Sequence, residues 1–222
     1  ITVASDNGTY HSSKDGCLYD NAGTSLIYCP AAHQDNVVVE DKCTTIKAGA
    51  FAGTAKVTKV ALPYSVSMVE ENAFNAPTLK TIIVKNVATK FADNDNVTTK
   101  TARIYCFKGA DVIEHAKKFS RDYTVYTKIE DNFFENSSIT DFTIPDNITE
   151  IGKDAFRNCD ELTGITVPVS VKNIDEYAFA ECDKLNTVTI MSLSDKEKNI
   201  TSGTEVIGKG AFSGDKVLKT LS

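Results

Sequence analysis

The side chains with chemistry to offer are three histidines and six cysteines. A metal centre or a general base needs a second His or a carboxylate at a set spacing, as in HExxH, and His11, His33 and His115 have none. Each is expected as a lone histidine in a solvated loop. No GxSxG elbow is present, and nothing pairs Ser and Asp with a His in an orienting context. GxGxxG and GxxxxGK[ST] are absent, so no glycine loop is built to cradle phosphate. Glu70-Glu71 and Asp93-Asn94-Asp95-Asn96 lack the full calcium-loop pattern. The second could hold a weak Ca²⁺, but its first reading is a polar turn. None of the six cysteines lies beside a base that would make it a nucleophile. Cys17 and Cys29 flank the turn Asp20-Asn21-Ala22-Gly23 and could face each other across a hairpin, either as thiols or as a cross-strand bridge. Cys106 has no evident partner. No catalytic residue, cofactor or metal ion is expected.

Composition narrows the classes further. The 222 residues carry a net charge of −6, which removes the positive field that drives phosphate-backbone binding, so nucleic acid is a poor partner. The hydrophobic share of 41% is that of a folded protein rather than a disordered one. No apolar run approaches the roughly 20 residues that a membrane-spanning helix needs, so no membrane insertion is expected. The opening residues hold no charged stretch followed by an apolar one. Either none exists or the sequence is part of a longer precursor. Five Asn-x-Ser/Thr acceptors, at Asn7, Asn96, Asn136, Asn147 and Asn199, matter only on a eukaryotic secretory route.

The positioning elements emerge from a repeat. A small residue or Phe precedes Phe at Ala50-Phe51, Ala73-Phe74, Phe133-Phe134, Ala155-Phe156, Ala178-Phe179 and Ala211-Phe212. The steps between the second positions are 23, 60, 22, 23 and 33 residues. Five residues before each stands Ile46, Val69, Ile129, Ile151, Ile174 or Ile207, and eight before stands Cys43, Val66, Ile148 or Val171. Nine after comes Val60, Ile165 or Val188. Several apolar columns in one register mark stacked supersecondary units, none able to bury its own apolar side. At this period the chain divides into roughly nine or ten turns.

The clearest unit reads Ile151-Gly152-Lys153-Asp154-Ala155-Phe156-Arg157-Asn158-Cys159-Asp160-Glu161-Leu162-Thr163-Gly164-Ile165-Thr166-Val167-Pro168-Val169-Ser170-Val171. It resembles the BspA-like leucine-rich repeat family in the Ile-Gly opening, the Ala-Phe pair, the Cys and the Pro-x-Ser-Val corner. The resemblance covers most of 37–84 and 129–222, while 85–128 lacks the Ala-Phe pair. It implies a leucine-rich repeat solenoid, strand-rich and right-handed. A parallel sheet would form one face, with irregular or short helical turns on the other. It implies a single solenoid over 1–222, with a hairpin insertion in 1–36, irregular units with a helix in 85–128, and an insertion near 192–202. It also favours reduced core thiols at Cys159 and Cys182, which occupy one position in successive units.

Leu162-x-x-Ile165-x-Val167 alternates and Pro168 ends it, as a short half-buried strand should. The spacing predicts strands near 2–3, 37–39, 59–62, 81–84, 103–105, 124–126, 141–144, 164–167 and 187–190. One short helix is predicted near 110–119. Asp111 and Glu114 would form a capping box, Val112, Ala116 and Phe119 would share a face, and Lys117-Lys118 would sit at the C-terminal end. The polar run Ser194–Asn199 reads as a surface loop.

A solenoid presents its strands' outward positions to partners. Those positions include Ala61, Ile83 and a ladder of Thr143, Thr166 and Thr189, with Asp141, Gly164 and Thr187 two residues earlier. Thr suits any exposed sheet, so the ladder is equally a plain structural surface. As a site, Thr143, Thr166, Thr189, Asp141 and Thr187 would form a flat polar contact for a protein or glycan. The family resemblance implies a secreted or cell-surface, non-enzymatic protein that mediates protein–protein or adhesive contacts with host matrix or other cells. The alternatives are a structural spacer within a larger surface protein and a carbohydrate-binding module. A monomer is favoured.

Overall fold

The computed structural model describes residues 1–30, 35–195 and 200–221. His33, Asn199 and the 196–199 part of the polar run Ser194–Asn199 lie outside the described residues, while Ser194 and Asp195 belong to a strand rather than a loop. The chain forms two compact units, Ile1–Val125 and Tyr126–Ser222.

The first unit begins with an antiparallel hairpin of β1 (Tyr10–Ser12), β2 (Leu18–Asp20) and β3 (Ser25–Tyr28). After β4 (Asn36–Val38) come β5 (Thr45–Ile46), β6 (Lys59–Leu62), β7 (Met68–Val69), β8 (Thr81–Val84), β9 (Lys90–Phe91) and β10 (Arg103–Cys106). Helix α1 (Val112–Lys118) and β11 (Tyr123–Val125) close the unit. Two parallel ladders result, β3-β5-β7-β9 and β4-β6-β8-β10-β11. The second unit repeats the plan with β12 (Lys128–Ile129), β13 (Glu150–Ile151), β14 (Gly164–Val167), β15 (Asn173–Ile174) and β16 (Thr187–Ile190). An antiparallel hairpin of β17 (Leu193–Asp195) and β18 (Ile200–Ser202) precedes β19 (Val206–Ile207) and β20 (Thr220–Leu221). Its ladders are β12-β13-β15-β19 and β14-β16-β20. The two units together hold about seven turns, fewer than the period suggests. The β1–β3 hairpin, α1 and the β17–β18 hairpin take up residues that simple division by the period assigns to turns.

The ladders β3-β5-β7-β9 and β12-β13-β15-β19 have a cause that hydropathy does not display. Ile46, Val69, Ile129, Ile151 and Ile174 are buried, each at the end of a two-residue strand. Strand character here comes from bonding to the next turn rather than from local alternation. The Ala-Phe pair does the same work one step on. Phe51, Phe134, Phe156 and Phe179 N–H donate to the carbonyls of Ala73, Ala155, Ala178 and Ala211 at 2.7–2.9 Å. Each turn thereby satisfies the backbone groups of its neighbour, which burial would otherwise leave costly. The rings stack in a column: Phe134–Phe156 at 5.0 Å, Phe156–Phe179 at 4.9 Å and Phe179–Phe212 at 5.4 Å between centroids.

The corner before each Phe needs a left-handed residue. Gly49, Asn72, Asn132, Asp154, Tyr177 and Gly210 all have positive φ, each two positions ahead of the Phe. Gly, Asn and Asp tolerate that region readily. Gly152 answers a different demand. A Cβ there would lie 2.8 Å from the Asp131 nitrogen and 2.9 Å from the Glu130 carbonyl carbon, so glycine lets adjacent turns close up.

Several sequence expectations are corrected. Residues 2–3 are not a strand; the Val3 N–H bonds the Ser12 hydroxyl at 3.2 Å instead of a ladder carbonyl. Residues 141–144 alternate in burial as expected but form no strand, because alternation reports burial whereas a strand requires ladder bonds. Helix α1 forms, yet Asp111 gives no side-chain cap and Glu114 pairs with Lys117 at 2.9 Å rather than reaching back. His115 is not in a loop: it lies in α1, 7% exposed, between Phe91 and Phe119. His11 lies in β1 rather than a loop.

Candidate functional site

The sequence-predicted positions Asp141, Thr143, Thr166, Thr187 and Thr189 all line one concavity of about 450 Å³ in the second unit. Strands β14 and β16 build it. Their register sets Thr166 opposite Thr189 and Gly164 opposite Thr187. Inward Ile165, Val167 and Val188 are buried, so the alternate positions must face out. Met191 completes the wall at 48% exposed, its N–H held by the Val167 carbonyl at 2.9 Å. Gly164 leaves the floor open. Asp141 is the one charged group among the described lining residues, and it accepts a bond from the Thr140 hydroxyl at 3.1 Å. Thr187 turns its hydroxyl to Asn186 Oδ1 at 2.7 Å. Hydroxyls, one carboxylate and an exposed thioether can hold a partner by hydrogen bonds and contact.

The matching face of the first unit differs. The outward row there is Val38, Ala61, Ile83 and Tyr105, set side by side by the β4-β6-β8-β10 register. The row beside it runs Asn36, Lys59, Thr81 and Arg103. The Ala61 and Ile83 columns were legible in the sequence. Arg103 and Tyr105 were not placed on this face, because no Ala-Phe pair fixes the register of 85–128, and Val38 was not singled out within the predicted strand 37–39.

The remaining reactive groups are committed elsewhere. Cys17 and Cys29 form a disulfide, with Cα atoms 4.4 Å apart, tying the N-terminal hairpin. Cys43, Cys106, Cys159 and Cys182 are buried free thiols. Burial pushes Cys43 up to about 11, and Cys106 and Cys182 up to about 12, so they are not thiolates. Cys159 and Cys182 Sγ donate to the Phe134 and Phe156 carbonyls, each at 3.1 Å. His11 Nδ1 lies 2.8 Å from the Asp20 carbonyl and Nε2 lies 3.0 Å from Glu40 Oε2. Both partners are acceptors, so the doubly protonated ring is the form that makes both bonds. In the Asp93–Asn96 turn, Lys118 holds the Asp93 carboxylate and the buried Arg121 holds that of Asp95, which spends the charges a Ca²⁺ would need. Among the described residues no cluster of three His, Cys, Asp or Glu side chains could hold a metal.

The period, the Phe column and the two parallel ladders together agree with one further observation. The family model for the BspA type leucine-rich repeat region matches in six copies over 28–117 and 127–222. The chain belongs to the BspA-type leucine-rich repeat family. Repeats of this family are typically non-catalytic. The BspA-type chain is similar in structure to a leucine-rich repeat protein of Eubacterium ventriosum, at 19% identity and a TM-score of 0.37. That match covers 100% of this chain and 54% of the other, so the chain spans about half of that relative's length. It is also similar to the T. pallidum leucine-rich repeat protein, at 20% identity and a TM-score of 0.36, covering 99% and 91% of the two chains. A leucine-rich cell surface protein of Faecalibacterium prausnitzii matches at 20% identity and a TM-score of 0.35, covering 98% and 55%. No curated protein matches the chain. No helix among the described residues is long and apolar enough to cross a membrane.

Proposed function

We propose that this BspA-type repeat protein is a non-enzymatic binding module, secreted or held at a cell surface, that makes protein or adhesive contacts. The observation that carries the reading is the convergence of Asp141, Thr143, Thr166, Thr187, Thr189 and Met191 on one open concavity. Most of the repeat's apolar columns are spent on the core, so the outward strand positions remain for a partner. The Cys17–Cys29 disulfide supports an extracellular setting, since disulfides persist in oxidising compartments. A glycan partner stands as the second reading, because the concavity is lined by hydroxyls and one carboxylate.

The test is an array of extracellular-matrix proteins and glycans probed with the chain and with Thr166→Lys and Thr189→Lys. Concentration-dependent binding lost in both variants supports the concavity. Binding that survives both removes this surface, and no binding to any spot favours the spacer reading.

A further inference from the structure

The outward face of the first unit's β4-β6-β8-β10 ladder is unlike the hydroxyl-lined face of the second. Val38 is 73% exposed at one end, and the row continues through Ala61 and Ile83 to Tyr105, all reached by solvent. Four strands at roughly 4.8 Å spacing make this row about 14 Å long. Its inward neighbours Val37, Val60, Ile82 and Ile104 are fully in the core, so alternation fixes which side chains face out. Contiguous apolar side chains on a sheet face are the pattern of a contact surface. Tyr and Arg, both present here, are the residue types that anchor such surfaces.

Charge at the strand entrances says what the partner carries. Lys59 starts β6, Lys80 directly precedes β8 and Arg103 starts β10, all exposed. Arg103 is shared with Asp122 at 3.1 Å, while Lys59 and Lys80 have no ion pair among the described residues. Of the carboxylates at this end, Asp122 pairs with Arg103 at 3.1 Å, and Asp35 stands at the outer edge, where its carbonyl accepts the Lys59 N–H. A chain of net charge −6 thus sets a cationic rim beside an apolar row. In the second unit Asp141, Gly164 and Thr187 stand at the entrances that Lys59 and Arg103 occupy in the first, and Lys219 directly precedes β20.

We propose that this face docks an acidic, apolar-bearing protein segment lying across the strands, its carboxylates over Lys59, Lys80 and Arg103 and its apolar side chains over Val38, Ile83 and Tyr105. This rests on the protein-binding reading above and assigns it a second surface and a partner chemistry.

The experiment titrates the full chain against three fluorescein-labelled peptides of about eight residues, each long enough to cross the row. One alternates Glu with Leu and Tyr, one replaces Glu by Lys, and one replaces it by Ser. The Glu peptide is expected to bind, and to weaken about tenfold or more in Val38→Asp and in the double variant Lys59→Glu/Lys80→Glu. Both variants change exposed side chains, and circular dichroism checks that they fold. Added salt should weaken the Glu peptide, and the Lys peptide should not bind. Equal binding of all three peptides, indifference to both variants, or no binding of the Glu peptide at about 1 mM overturns the proposal. Thr166→Lys is expected to leave the peptide titration unchanged. If the array signal depends on Thr166 while the peptide fails here, the module reading stands and this face is refuted.

Discussion

Replacing Gly152 with Ala tests the close approach of turns directly. The added Cβ would meet Asp131 Oδ1 at 2.5 Å, Asp131 N at 2.8 Å and the Glu130 carbonyl carbon at 2.9 Å. The side-chain oxygen can swing away, but it would give up its bond to the Lys153 N–H, at 3.0 Å. Losing that bond costs roughly 1 kcal/mol. The two backbone atoms belong to a neighbouring turn and must shift by several tenths of an ångström, an overpacking cost of about 1–3 kcal/mol. Against this, Gly→Ala stiffens the unfolded chain and returns about 0.4–1 kcal/mol. The net expectation is a loss of roughly 1–3 kcal/mol. Gly164→Ala is the control. Its Cβ would find Thr187 O at 3.5 Å, an ordinary contact, and its φ is not in the left-handed region. That variant should be neutral or slightly stabilising. Equilibrium urea unfolding by circular dichroism gives midpoints and slopes for both. Equal midpoints for Gly152→Ala and Gly164→Ala would falsify the claim that glycine is there to let turns close.

Two further outcomes follow from the packing and the charges. Phe156→Ala empties a fully buried place between two stacked rings and should cost about 3–5 kcal/mol in urea unfolding, with Phe212→Ala, at the half-buried end of the column, costing clearly less. Similar losses at the two sites would count against a continuous column. Asp215 is raised from 3.8 to about 7, chiefly by burial and further by the Asp183 charge, while the Cys182 N–H bond at 2.9 Å opposes the shift. Between those values the folded state keeps a proton that the unfolded state has lost, so this stability is fully present below pH 3.8 and disappears as pH rises through about 7. Asp215→Asn keeps the acceptor for Cys182, so it should be more stable than the unaltered chain at pH 8 and no different near pH 3.5; urea midpoints across pH decide it, and a gap that widens as pH falls contradicts the sign.

The sequence by itself determined the period, the core columns and the outward Thr positions. These are local properties: a side chain's apolarity, an alternation over four residues, a Pro that stops a strand. Ile151, Phe156, Ile165 and Val167 announce their burial without reference to any other turn. The tertiary structure decided what depends on a partner roughly a turn away. Ile46, Val69 and Ile174 became strands because the next turn bonds their backbones, and Gly152 is needed because Asp131 lies against it. The Asp93–Asn96 turn lost its candidate ion because Lys118 and Arg121 arrive from more than twenty residues later. Cys17 and Cys29 left two states open until the hairpin register joined them. Tyr105 and Arg103 entered the outward face of the first unit only when β10 fixed their row. Periodic burial is written residue by residue, whereas pairing, close approach and neutralised charge exist only between turns, which the fold alone brings together.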